Sequence, residues 1–170
     1  MATLTAVNPK WLRSATRPTM SVENWLVDGD ATFEMGELCR IASDGLVYEG
    51  ITGANSGVGD DAVHLYALEP VGSAIGNDTT RKRFARIHAD DEFEMHELDG
   101  TVSEATKGQV YDMDVTSNVC TVNVDSSSHA IFEVVNPTWR EEPILNDSAD
   151  VKARLVVKVL ETALNATKTN

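Results

Sequence analysis

The stretch VKARLVVKV, from Val151 to Val159, alternates with the period of a β-strand. Val151, Ala153, Leu155, Val157 and Val159 share one face. Lys152, Arg154 and Lys158, joined by Val156, share the other. A period of two with β-branched enrichment marks a strand that lays one face on a core. Upstream, Ala130 to Val135 reads as another strand, stopped by Asn136-Pro137, and Cys120 to Val124 puts Cys120, Val122 and Val124 on one face. Gln109 to Val115, Glu92 to Leu98, Arg83 to Ile87 and Ala62 to Leu68 are further short strand segments. Leu38 to Ile41 and Leu46 to Ile51 flank Asp44-Gly45, which predicts a hairpin. No strand–helix–strand rhythm interrupts this series, which disfavours a doubly wound α/β fold. Only the tail from Leu160 to Ala166 admits a helix. The expected fold is all-β, a small β-barrel or β-tulip-like body over residues 26–160.

The ends differ from the body. Residues 1–25 hold Pro9 and Pro18 and lack sustained periodicity, so they read as an extended N-terminal arm with Trp11 and Leu12 as apolar anchors. Residues 161–170 form a C-terminal tail. Net charge is −13, from 27 acids against 14 bases, and it is unevenly spread. Residues 1–20 carry Lys10, Arg13 and Arg17 and no acid, whereas residues 21–80 carry eleven acids against Arg40 alone. The last twenty residues return to +3. Basic ends around an acidic body are expected to meet acidic surface, on this body or on a neighbouring copy. The same balance argues against nucleic-acid binding, which draws affinity from Lys and Arg on phosphates. It also disfavours adsorption to anionic membranes.

Cys39 and Cys120 belong to no C-x-x-C pair and are expected as two buried thiols. The N-terminus lacks an apolar run of the length a signal peptide needs, so synthesis in the cytoplasm is expected. Phe33-Glu34-Met35-Gly36-Glu37-Leu38 recurs as Phe93-Glu94-Met95-His96-Glu97-Leu98. Each copy is followed by Gly-x-Val-Tyr and an acid, at Gly45 to Glu49 and Gly108 to Asp112. The echo is either a duplicated strand unit or a coincidence of two acidic strand starts. Phe33, Met35 and Leu38 cannot all share one strand face, so a bend is expected near Gly36, and likewise near His96.

Catalytic motifs are missing. His88, His96, Asp90, Asp91, Glu92, Glu94, Glu97 and Asp99 crowd twelve residues but match no metal-ligand spacing, and read as a solvated edge. Ser126, Ser127 and Ser128 before His129 suit a hairpin tip better than a triad. GANSGVG, Gly53 to Gly59, lacks the lysine of a phosphate loop and is followed by Asp60 and Asp61. No cofactor, metal or catalytic residue is assigned. Interface candidates are the arm cations Lys10, Arg13 and Arg17, the cluster Arg81, Lys82 and Arg83, and the rigid anchors Trp11, Trp25 and Trp139.

The chain resembles the small decoration, or cement, proteins of tailed-bacteriophage heads. The resemblance runs from about Gly36 to Val159. It rests on GELCRIASDGLVYEGI, HLYALEPVG, FEMHELDGTVSEATKGQVYDMDV and the final VKARLVVKVL strand, in that order. It implies a non-enzymatic virion protein on the capsid surface that clusters, often as trimers, and binds the major capsid protein and copies of itself. Residues 1–25 would be a clamping arm, and the 53–61 loop a surface element. Two other readings stand beside it: a tail, baseplate or carbohydrate-binding β module, and a small metal-dependent β-barrel enzyme using the 88–99 cluster.

Overall fold

A computed structural model describes residues 8–49, 62–71, 80–99, 107–116, 118–136 and 154–165. Eleven strands and one short helix occupy them. The strands form two sheets, antiparallel but for short parallel contacts, so the all-β expectation holds. In the first sheet, β1 (Lys10–Ser14), β7 (Asp91–Asp99), β11 (Arg154–Val159), β10 (Phe132–Asn136), β8 (Val110–Thr116) and β9 (Val119–Asn123) lie side by side in that order. Strand β9 also returns to a short parallel contact with β7, pairing Glu97 with Val122 and Asp99 with Asn123. The second sheet runs β2 (Ser21–Leu26), β6 (Arg81–Arg86), β5 (Leu65–Ala67), β3 (Leu38–Ile41) and β4 (Val47–Glu49). Helix α1 is a single turn, Glu161–Asn165.

The alternation of the last strand is the one used. Leu155, Val157 and Val159 are buried in the larger core with Phe93, Met95, Met113, Val122 and Phe132. Burying a side chain of this size is worth about 1.5–3 kcal/mol, so this strand face is a principal source of stability. A smaller core gathers Val27, Phe33, Cys39, Leu65 and Phe84 on the second sheet, where Phe33 meets Phe84 edge to face at 5.9 Å. Leu38, Val63 and Ile87 belong to the larger cluster, and Tyr66 packs on Phe93 at 5.8 Å, so β3 and β5 couple the two sheets.

The Asp44-Gly45 hairpin forms as expected, with Ile41 opposite Val47 and Gly45 at φ +82°. The bend near Gly36 is a turn with φ +89°, which leaves Met35 exposed and swings Glu37 and Leu38 inward. The second copy of the echo differs. Phe93, Met95 and His96 are all buried within one strand, the irregularity expected near His96 is a register shift between Glu97 and Asp99 against β9, and β7 does not pair with β8 as β3 pairs with β4. What the copies share is the left-handed glycine before a strand, Gly45 before β4 and Gly108 before β8. Cys39 and Cys120 are buried free thiols.

The N-terminal segment is extended, and its described part is more ordered than its irregular sequence suggests. Residues 10–14 add to the first sheet beside β7, and residues 21–26 add to the second beside β6. Strand β7 is therefore interior, not the solvated edge expected from its acids. Residues 1–7, the 53–61 loop and Trp139 lie outside the described residues.

Candidate functional site

Strand β1 crosses β7 antiparallel, with Lys10 opposite Glu94 and Ser14 opposite Asp91. This register lays the arm's bases and hydroxyls along the acids of 90–94. Asp91 is fully buried and is the hub. It accepts hydrogen bonds from Trp11 Nε1 at 3.1 Å, from Arg17 Nη2 at 2.7 and 2.5 Å, and from the His88 amide at 2.8 Å. Charge-assisted bonds of this kind are about twice as strong as neutral ones. Asp90 beside it accepts from Ser14 Oγ, Thr16 Oγ1 and the Thr16 amide. The hydroxyls of Ser14 and Thr16 hold its carboxyl well below the usual carboxylate range. Arg13 reaches Glu92 at 2.8 Å on the surface, and Arg154 pairs with Glu94 from the other side. The basic arm thus meets acidic surface on its own body.

The second group of predicted residues forms a strip along β2 and β6. Trp25 lies opposite Lys82, donates to Glu23 at 2.7 Å, and carries the Arg86 guanidinium over its ring at 5.2 Å. Arg86 also pairs with Glu23 at 2.9 Å, and Arg83 with Glu69 at 3.4 Å. Arg81 donates to the Asn24 carbonyl at 3.2 Å. The structure therefore brings the candidates together as two sets: Lys10, Trp11, Arg13 and Arg17 on β7, and Trp25, Arg81, Lys82 and Arg83 on the second sheet.

Among the described residues, no three His, Cys, Asp or Glu side chains are grouped to hold a metal ion. Asp90, Asp91 and Glu92 bind the arm instead, and Glu94 binds Arg154. Near the serine run, the buried Asp112 accepts from Ser126 Oγ, Ser128 Oγ and the His129 amide. That geometry pins a hairpin tip. Beside it lies an open groove of about 330 Å³ lined by Gln109, Val110, Tyr111, Asp125 and Ser127 among others.

One buried group escaped the sequence reading. Glu37 has no exposed surface; its Oε2 accepts from the Glu34 amide at 3.0 Å while Oε1 has no hydrogen-bond partner. Burial, with Glu49 and Glu34 adding repulsion, pushes its carboxyl up to about 8. Only the tight turn at Gly36, which points residue 37 inward, could have signalled this.

No protein-family model matches the chain, and neither do any curated protein or solved structure.

Proposed function

We propose that this chain is a non-enzymatic structural protein that binds the outside of a phage head and stabilises the shell through the major capsid protein and copies of itself. The observation that carries the reading is the division of labour among its cations. Arg13, Arg17, Arg83, Arg86 and Arg154 pair with carboxylates of the same chain. Lys10, Arg81 and Lys82 make no ion pair among the described residues, and stand as local positive charge on a −13 protein. An acidic module that packs against acidic neighbours needs such patches. The order of strands and turns, through which the chain resembles the decoration proteins, supports the same conclusion. Symmetric display lets weak contacts sum through effective concentration, so a small module can brace a large shell.

The test is the protein's abundance in gradient-purified particles, by quantitative mass spectrometry. A fixed, near-stoichiometric ratio to the major shell protein is expected. A handful of copies per particle would move the assignment to a tail or baseplate part. Absence from particles would overturn the virion reading.

A further inference from the structure

Just past β2, Val27 bridges Val47 in parallel, and the Asp28 amide donates to the Val47 carbonyl at 3.0 Å. The second sheet therefore runs β2–β6–β5–β3–β4 and comes back to its first strand. The first sheet does the same over β7–β11–β10–β8–β9, where β9 returns to β7 in parallel. Counted along the chain, the two sets of strands have one connectivity. The first strand pairs antiparallel with the fifth, the fifth with the fourth, the fourth with the second, and the second with the third. The third then meets the first in parallel. Strand β1 stands outside this scheme, added to β7.

The registers agree as well. In each set the turn between the second and third strands ends on a left-handed residue, Gly45 at φ +82° and Asn118 at φ +61°. With these two superposed, the ladders match Trp25 with Phe93, Val27 with Met95, Cys39 with Met113, Val47 with Cys120 and Phe84 with Val159. Every first member packs in the smaller core and every second member in the larger. The parallel contact is an independent check: Val27 bridges Val47, and the register that sets Glu97 opposite Val122 puts Met95 beside Cys120. The pairs keep apolar character and not residue identity. The echo of Phe33–Leu38 in Phe93–Leu98 is a different alignment, setting the approach to β3 against β7 itself.

We infer that residues 21–86 and 91–159 are two copies of one five-stranded unit, joined in tandem and docked head to tail. Leu38 and Tyr66 face each other on β3 and β5 and alternate with Cys39 and Leu65, so they point out of the first unit. Both pack into the core of the second, where Cys120 Sγ accepts from the Leu38 amide at 3.4 Å. The contact is not reciprocal. Tyr66 packs on Phe93, but their counterparts Ile131 and Trp25 sit in different cores. Such a heterologous contact can in principle repeat without end. Here it stops at two, because the residue matching Leu38 is Asp112, whose carboxylate is taken up by Ser126, Ser128 and the His129 amide. A polar outer face is what terminates stacked repeats.

The experiment is amide hydrogen exchange of the full chain in rising urea, read strand by strand, for wild type, Phe84→Leu and Met113→Ala. The first variant thins the smaller core and the second the larger. Separate units predict that Phe84→Leu lowers the protection of β2–β6 roughly tenfold or more and leaves β7–β11 near wild type, and that Met113→Ala does the converse. If Met113→Ala does not fold, Met113→Val takes its place. Confinement of either variant to its own five strands upholds the proposal. Lowered protection in all these strands for both variants would show one cooperative body, and an affected set that crosses residues 87–90 would show a different partition; either result overturns it.

Discussion

Arg17 reaches 74 residues along the chain to hold both carboxylate oxygens of Asp91, which is wholly buried beneath it. The pair joins the N-terminal segment to an interior strand of its sheet. Arg17 retains some exposure, with 18% of its side chain open to solvent, whereas Asp91 has none. The cost of breaking the pair therefore falls on the carboxylate, left as a buried charge with fewer donors.

Arg17→Ala is expected to destabilise the protein by about 2–4 kcal/mol, and Asp91→Ala by about 3–5 kcal/mol because it also strands Trp11 Nε1 and the His88 amide. Urea denaturation measures both. Amide exchange of Lys10–Ser14 should rise in each variant, since β1 is tied to the body by this hub. Protection unchanged in both would show that the backbone ladder alone holds the strand.

Arg13 offers the control. Its bond to Glu92 is equally short, but 73% of its side chain is exposed. Screening and side-chain entropy leave such a pair worth little. Arg13→Ala should shift stability by less than about 0.5 kcal/mol in the same titration. A loss as large as that of Arg17→Ala would mean that the arm's ion pairs act as one network.

Glu37 makes stability depend on pH. Its folded-state carboxyl is raised to about 8 from an ordinary 4.5, so the folded chain keeps a proton that the unfolded chain releases. The contribution is complete below about pH 4.5 and is lost as pH rises through about 8. The full swing is at most ~5 kcal/mol. Glu37→Gln cannot ionise and should flatten this slope. Denaturation midpoints at several pH values between 5 and 9 check it; parallel profiles for wild type and variant would show that Glu37 ionises freely in the fold.

The glycines at turns should separate strain from crowding. Gly36 and Gly45 share a left-handed φ, +89° and +82°. A Cβ on Gly36 would sit 3.1 Å from both Asn8 Cβ and the Pro9 carbonyl, whereas a Cβ on Gly45 meets nothing within 4 Å. Gly45→Ala should cost about 1 kcal/mol from conformation alone. Gly36→Ala should cost about 2–3 kcal/mol because it also pushes residues 8–9 off the body. Thermal melts of the two variants give the comparison, and equal losses would mean that the 8–9 segment yields freely.

The strands of the body were legible because their own residues carry a period-two apolar pattern bounded by turn residues. Val151 to Val159, the Asp44-Gly45 hairpin and the Cys120 strand carry that alternation in their own residues, so composition and spacing alone determined an all-β chain. Strands β1 and β2 were not legible. They bury neither face fully, and KWLRS and SVENWL show no clean alternation. Pairing with β7 and β6 decides their state. The acids of 90–94 likewise read as solvated charge, because the side chains that pair with them lie 60 or more residues away. Burial of Glu37 depends on a turn that points it inward. Local periodicity reports only what a segment does with water, while partners distant in the chain are brought together by the packing of two sheets. Tertiary structure thus decided where the basic arm lies and which acids it neutralises.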